Sequence, residues 1–235
     1  MAYSVAFKCT YNNGGEGEFV GFSDTCSTIN IERNVTNARV WCSDEDCPCR
    51  QFYDKGMKGA KPVNPCHESR LFREWRFGAG SHHLGEKRGT PIHMRDGKVK
   101  AGEFAILTTR FPNKPNESQR RIIGVFQIGE VIDEPDSETM LIASPKGRVR
   151  LRMAEAKELY FWEYYRIASK QPDWRTGLFR YLNDTQAHRI LADMATIIQD
   201  NDTKAIVNDL IAQAFGKNPA PPALGYSVRR SKRQA

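Results

Sequence analysis

"RRIIGVFQIGEVID", residues 120–133, is a β-branched and aromatic run interrupted by two glycines. Fourteen residues of this composition exceed an ordinary strand, so the stretch reads as one long bent strand with Gly124 and Gly129 at bulges. The sequence on either side fits a sheet. Upstream, "GEFAILTTRF" (102–111) is a second strand ending at the Pro/Asn loop "PNKPNES" (112–118). Downstream, "TMLIAS" (139–144) and "RVRLRM" (148–153), separated by "PKG", read as a closing hairpin. Together these runs predict a small, partly closed β structure.

The period changes after Met153. "AEAKELYFWEYYRIA" (154–168) places Leu159, Trp162, Tyr165 and Ile167 at spacings that partly fit one helical face. "DTQAHRILADMATIIQD" (184–200) opens on Asp184 as an expected N-cap, and "NDTKAIVNDLIAQAFG" (201–216) starts with Asp202 and closes on Gly216. Three helices are therefore expected after the sheet. Before it, residues 1–66 are rich in Gly, Asn, Asp and Cys, with short β-type runs "YSVAFKC" (3–9), "GEFVGF" (17–22) and "NARVW" (37–41). The reading divides the chain into an N-terminal cysteine-rich element (1–68), a β-barrel core (69–152), C-terminal helices (153–216) and a basic Pro/Ala tail or linker (217–235).

The 235 residues, 40% hydrophobic and 27% charged, suffice for a real core without disulfides. No run reaches the eighteen apolar residues of a membrane span, and "MAYSVAFKCTYNNGG" lacks the pattern of a signal peptide, so a cytoplasmic location is expected. The net charge of +7 points to a polyanionic partner. Arg229, Arg230, Lys232 and Arg233 supply four of these charges, leaving +3 for the rest. Binding of nucleic acid then requires a local patch, for which "FREWRFGAGSHHLGEKRG" (72–89) and "SPKGRVRLR" (144–152) compete with the plainer reading as solvated faces.

"WCSDEDCPCRQFYDKG" (41–56) and "NPCHES" (64–69) carry Cys42, Cys47, Cys49 and Cys66 in a C-x4-C-x-C-x16-C pattern. In a cytoplasmic chain a close cysteine cluster points to metal rather than disulfides. Four thiolates satisfy tetrahedral Zn2+, which would be structural because no position is left for water. An iron–sulfur cluster and buried thiols are the alternatives, and Cys9, Cys26 and His67 are substitutes as ligands.

"LFREWRFGAGSHHLGEKRGTPI" (71–92), "KAGEFAILTT" (100–109) and "RRIIGVFQIGEVIDE" (120–134) follow one another in an order that resembles the EVE and YTH branch of the PUA-like superfamily. An early Trp and small-residue loop come first. Gly102-Glu103 stands where that branch has a Gly-Asp turn, and Ile123-Gly124-Val125-Phe126 stands in the later strand. The resemblance covers about eighty residues. It implies an α+β fold with a PUA-like, partly closed β-barrel, and a pocket for a modified base flipped from double-stranded DNA.

Such a base needs aromatic faces, small residues that let backbone approach its edge, and polar groups along that edge. Trp75, Phe77, Gly78, Ala79, Gly80, Ser81 and His82 supply all three, and Trp162 and Tyr165, with Phe161 and Tyr164, are placed to close the pocket. The competing reading makes these aromatics core. Arg73, Arg76, Lys87 and Arg88 near the loop, and Arg110, Arg120 and Arg121 around the Pro/Asn loop, are the expected phosphate contacts. The resulting expectation is the specificity part of a modification-dependent restriction or defence system, its effector nuclease lying in another domain or chain. An enzyme is the contrary class: Pro135-Asp136 with Glu155-Ala156-Lys157 formally fits the PD...ExK pattern of metal-dependent nucleases. No nucleophile elbow, P-loop or zincin motif is present, and a protein-interaction module using the C-terminal helices is the third reading.

Overall fold

In a computed structural model, residues 3–14, 25–39, 42–63, 67–82, 86–87, 89–95, 97–114, 116–165, 172–174 and 177–216 are described. The long bent strand is β4 (Arg121–Ile132), with β3 (Phe104–Thr109) antiparallel on one side and β5 (Met140–Arg150) antiparallel on the other. Every residue of β3 is buried, as its continuous apolar run requires of a central strand. The β3–β4 register shifts where Leu107 faces Gly124 and Thr108 faces Ile122, leaving Ile123 as the extra residue. A second shift against β5 falls at Gly129.

The expected hairpin within 139–153 is instead one strand. Residues 140–143 and 148–150 both pair with β4, and the four residues Ser144–Gly147 stand opposite Gln127 as a wide irregularity. Pro145 cannot donate to a ladder, which confines it to such a place. Glycines allow the bulge to lie flat: a Cβ on Gly147 would sit 2.6 Å from the Gln127 Cβ, and one on Gly129 would sit 3.0 Å from the Ser144 backbone.

Two strands that lie outside the expected barrel core complete the sheet. β1 (Ser4–Lys8) runs parallel to β3, and β6 (Phe179–Leu182), which the sequence reading did not anticipate, pairs antiparallel with β1. With β2 (Arg76–Gly78) on β5, the order is β2-β5-β4-β3-β1-β6. Residues 4–8 thus place part of the cysteine-rich element inside the central sheet. The sheet curls into a half-barrel. Three strands separate β1 from β2, yet the Phe7 and Phe77 rings lie 5.4 Å apart and Phe77 stacks on Phe126 at 5.6 Å. The architecture is α+β.

The helices differ in how far their sequences foretold them. α1 (Thr28–Thr36), α2 (Pro48–Asp54) and α3 (His67–Glu74) occupy the crossover between β1 and β2. α1 and α2 enclose a separate apolar cluster of Cys26, Ile31, Val35, Cys42, Cys49 and Phe52. "NARVW" forms no strand over residues 37–39, and "GEFVGF" lies outside the described residues. In place of one helix over 154–168, two single turns form, α4 (Met153–Ala156) and α5 (Phe161–Tyr164). The chain between them is recruited by the sheet: Leu159 accepts the Ile122 N–H, and Tyr160 pairs with Arg121. α6 (Asp184–Ile197) is capped by Asn183 rather than Asp184, and α7 (Asn201–Phe215) by Asp200 rather than Asp202. Gly216 closes α7 with φ +84°, as expected. α7 packs its buried Val207 and Leu210 over the sheet, and Phe215 meets Phe104 at 6.0 Å. No helix among the described residues is long and apolar enough to cross a membrane.

Candidate nucleic-acid interface

The loop that links α3 to β2 begins at Trp75, whose φ of +55° is the left-handed turn that ends α3. A bulky residue there carries strain of about 1 kcal/mol or more. Its indole is half-buried, edge-on to Phe126 at 6.2 Å, while its carbonyl accepts the Ala143 N–H at 3.0 Å. Phe77 is different. Its ring is 2% exposed and is enclosed by Phe7, Phe72 and Phe126, which puts it in packing rather than at a surface a base can reach.

Small residues in this loop let other groups approach closely. A Cβ on Gly78 would strike the Glu138 carboxylate, and one on Gly80 would sit 2.5 Å from Leu178 Cδ1. Glu138 accepts the Gly80 N–H, and buried Ala79 donates to the Thr139 carbonyl at 2.9 Å. Ser81 pairs with Pro91, and exposed His82 donates its N–H to the Thr90 carbonyl at 2.9 Å. Glu138 is a polar group of this loop that sequence reasoning missed, because it comes from the turn before β5. Beside it, Asp133 holds His93 at 2.8 Å and Thr139 Oγ1 at 2.6 Å. The Thr139 hydroxyl first and His93 second hold the Asp133 carboxyl below its ordinary value of 3.8.

Trp162 and Tyr165 belong to an aromatic group with Phe161 and Trp174. Tyr165 stacks on Phe161 at 5.4 Å, and Trp174 lies 5.1 Å from Phe161 and 6.1 Å from Trp162. Trp162 is buried and gives its indole N–H to the Glu117 carbonyl at 2.7 Å. The Leu178 that meets Gly80 also accepts the Lys8 N–H at 2.7 Å. Trp174 donates its indole N–H to the Gly177 carbonyl at 3.1 Å. The loop at 78–81 and the aromatic group at 161–165 are therefore joined through Trp174, Gly177 and Leu178.

Arg73, Arg76 and Lys87 are exposed around the loop, and Arg88 lies outside the described residues. The second basic group is arranged otherwise. Arg120 is 1% exposed, grips the Glu117 carboxylate with Nε and Nη2, and lies over the Trp174 ring at 4.7 Å. Arg121 is buried over the Tyr160 ring. Arg110, half-buried, reaches Glu117 at 3.5 Å. Burial first, then Arg120, holds the Lys8 ammonium below its ordinary value of 10.5, with Arg110 and Arg180 acting in the same direction and Glu117 opposing. Lys8 and Arg180 are cations the sequence reading missed, since only the pairing of β1 with β3 and of β6 with β1 brings them towards the Pro/Asn loop.

Cys42 and Cys49 share the α1–α2 cluster with Cys26, and Cys47 packs against it; Cys66 lies outside the described residues. Asn30 donates an amide N–H to the Cys26 sulfur at 3.2 Å. Among the described residues, no group of three or more His, Cys, Asp or Glu side chains is placed to hold a metal. In the PD...ExK-like stretch, Asp136 is exposed, while both Glu155 oxygens accept backbone N–H groups, of Arg152 at 2.8 Å and Gln199 at 3.0 Å. No protein-family model, curated protein or solved structure matches the chain.

Proposed function

We propose that the chain binds nucleic acid and reads a modified base extruded from double-stranded DNA, as the specificity part of a modification-dependent restriction or defence system. One observation carries this reading: the small-residue loop, the aromatic group and the cations around Glu117 converge on Trp174, Gly177 and Leu178. A stacking face, small residues along the backbone and positive charge are the three things an extruded nucleotide needs, and Trp75 and Tyr165 are partly exposed where Phe161, Trp162 and Trp174 are buried. The curled six-stranded sheet is compatible with the partly closed barrel that this reading requires. Trp75, half-buried and set at the loop's start, is the proposed stacking face; Glu138, on the Gly80 N–H, is the proposed polar edge.

Structural Zn2+ on Cys42, Cys47, Cys49 and Cys66 belongs to the same proposal. The N-terminal cluster is small and cysteine-laden, which is where a metal adds most to folding. The test is binding of the purified chain to matched duplexes that are plain or carry methylated, hydroxymethylated or glucosylated bases, with metal content measured on the same sample. Selective binding of one modified duplex is expected. Trp75→Ala should erase that preference and leave the salt-dependent background. Absence of any preference at every salt concentration would overturn the reader, and cleavage with magnesium would revive the nuclease.

A further inference from the structure

We propose that Arg148 is a phosphate contact beside Trp75, taking a phosphodiester that flanks the nucleotide stacked on that indole. The phosphate chemistry comes from the structure; the nucleotide as its source rests on the base-reader proposal. Arg148 belongs to "SPKGRVRLR" (144–152), a basic stretch to which no role has yet been given.

Strand pairing brings this stretch to Trp75. Ala143 donates its N–H to the Trp75 carbonyl at 3.0 Å, and its own carbonyl accepts Arg148 Nη2 at 3.3 Å. A strand residue directs both of these groups to one edge, so the Arg148 guanidinium lies on the edge of β5 that Trp75 meets. The register agrees. Arg148 stands opposite Phe126 and therefore on the same face, and Phe126 is the ring to which Trp75 is edge-on at 6.2 Å. The irregularity at residues 144–147 lets Arg148 turn back to a carbonyl five residues earlier, the re-aiming of a side chain that bulges permit. β2 covers only residues 140–142 of this edge, and among the described residues no strand lies beside 144–150. A ligand can approach there.

The guanidinium is only partly satisfied by the protein. One N–H is spent on Ala143, Nε is buried with no hydrogen-bond partner, and no carboxylate among the described residues pairs with this half-buried side chain. A cation held partly out of water without a counter-charge costs free energy that an entering anion recovers. The end of the planar group carrying Nη1 and Nη2 suits phosphate oxygens. Glu138, the proposed contact for the base edge, lies at the Gly78–Gly80 end of β2, and Arg148 lies at the Trp75 end. A base between them would direct its polar edge towards the carboxylate and its backbone towards the cation.

The test uses the full chain and the modified duplex it prefers, titrated over a range of salt. The same duplex is then given a neutral methylphosphonate linkage at either phosphate flanking the modified base, and inorganic pyrophosphate binding is followed by calorimetry. The variants are Arg148→Gln and Arg148→Lys, with Lys55→Gln, an exposed cation at the end of α2, as control. Urea unfolding reports the stability of each. We expect Arg148→Gln to weaken duplex binding about five- to tenfold at moderate salt and to lower the slope of log K against log salt by about one. Arg148→Lys should keep the slope and lose about twofold in affinity, and Lys55→Gln should change neither. One methylphosphonate linkage should cost the parent as much as Arg148→Gln does and cost that variant nothing further.

A linkage cost equal in parent and Arg148→Gln, or none at either linkage, would overturn the site and leave the base reader standing. So would a lower urea midpoint for Arg148→Gln with an unchanged salt slope, which would make Arg148 a clasp of the bulge alone. A loss for Lys55→Gln as large as for Arg148→Gln would reduce the effect to general charge and overturn the site. If Arg148→Gln does not fold, phenylglyoxal labelling of the parent decides: protection of Arg148 by the duplex upholds the site and unaltered labelling overturns it. If the parent prefers no duplex, the base reader falls and pyrophosphate decides. Binding lost in Arg148→Gln would then uphold a phosphate site, and equal binding or none would overturn it.

Discussion

Phe77→Ala should destabilise the chain by about 3–5 kcal/mol, the range for removing a fully enclosed aromatic ring. The ring is 2% exposed and touches Phe7 at 5.4 Å, Phe72 at 5.5 Å and Phe126 at 5.6 Å, so the cavity would open between β1, α3 and β4 where the sheet curls closed. Against a total of about 5–15 kcal/mol for a folded domain, this raises the unfolded fraction by roughly two to three and a half powers of ten. With a urea slope near 3 kcal/mol/M, the midpoint should fall by about 1–1.7 M, read by far-UV circular dichroism. Trp75→Ala is the matched comparison. Its indole is half-buried with an edge contact to Phe126 at 6.2 Å, and its truncation should cost about 1–2 kcal/mol. A cost below about 1 kcal/mol for Phe77→Ala, together with a larger one for Trp75→Ala, would refute this division between packing and surface. It would return Phe77 to the base platform.

Glu155→Ala removes the acceptor of two backbone N–H groups, at Arg152 and Gln199, and should cost about 1–3 kcal/mol, measured by urea unfolding. Gly80→Ala combines a φ of +84° with a Cβ 2.5 Å from Leu178, so a loss of about 1–3 kcal/mol and weaker duplex binding are expected together. The Asp133 carboxyl is held low, so its stabilising effect is complete at neutral pH and is lost as pH falls below 3.8 through the folded value. Urea midpoints of the parent and Asp133→Asn should therefore differ at neutral pH and converge well below that value. Purified chain should carry about one zinc per molecule, and a strong chelator should release it with a loss of helical signal. Chelation without effect on circular dichroism would remove the metal.

Continuous local pattern was enough for part of this protein. The apolar run at 104–109 dictated a central strand, the β-branched stretch with two glycines dictated the long bent strand, and periodic apolar residues with a closing Gly216 dictated α6 and α7. Caps were misplaced by one or two residues because Asn183 and Asp200 compete with Asp184 and Asp202 for the same role, and local sequence alone does not rank them. The aromatic stretch after Met153 shows the limit more sharply. Its helical spacing was real but weak, and the first residues of β4, which lie beyond the end of β5, took residues 159–161 into backbone pairing instead.

The site depended still more on distant pairing. Lys8 and Arg180 carry no motif; they become neighbours of Arg110 because β1 lies parallel to β3 and β6 closes on β1. The "PKG" turn signal was read correctly as a break but wrongly as a hairpin, since both flanking runs found the same partner in β4. Phe77 was legible as aromatic but not as enclosed, because its neighbours come from β1, α3 and β4. The sequence determined which segments could be strand, helix or turn through the chemistry of adjacent residues. Only the tertiary structure decided which cations share a carboxylate and which rings face solvent, because those depend on contacts between segments as far apart as Ser4 and Leu182.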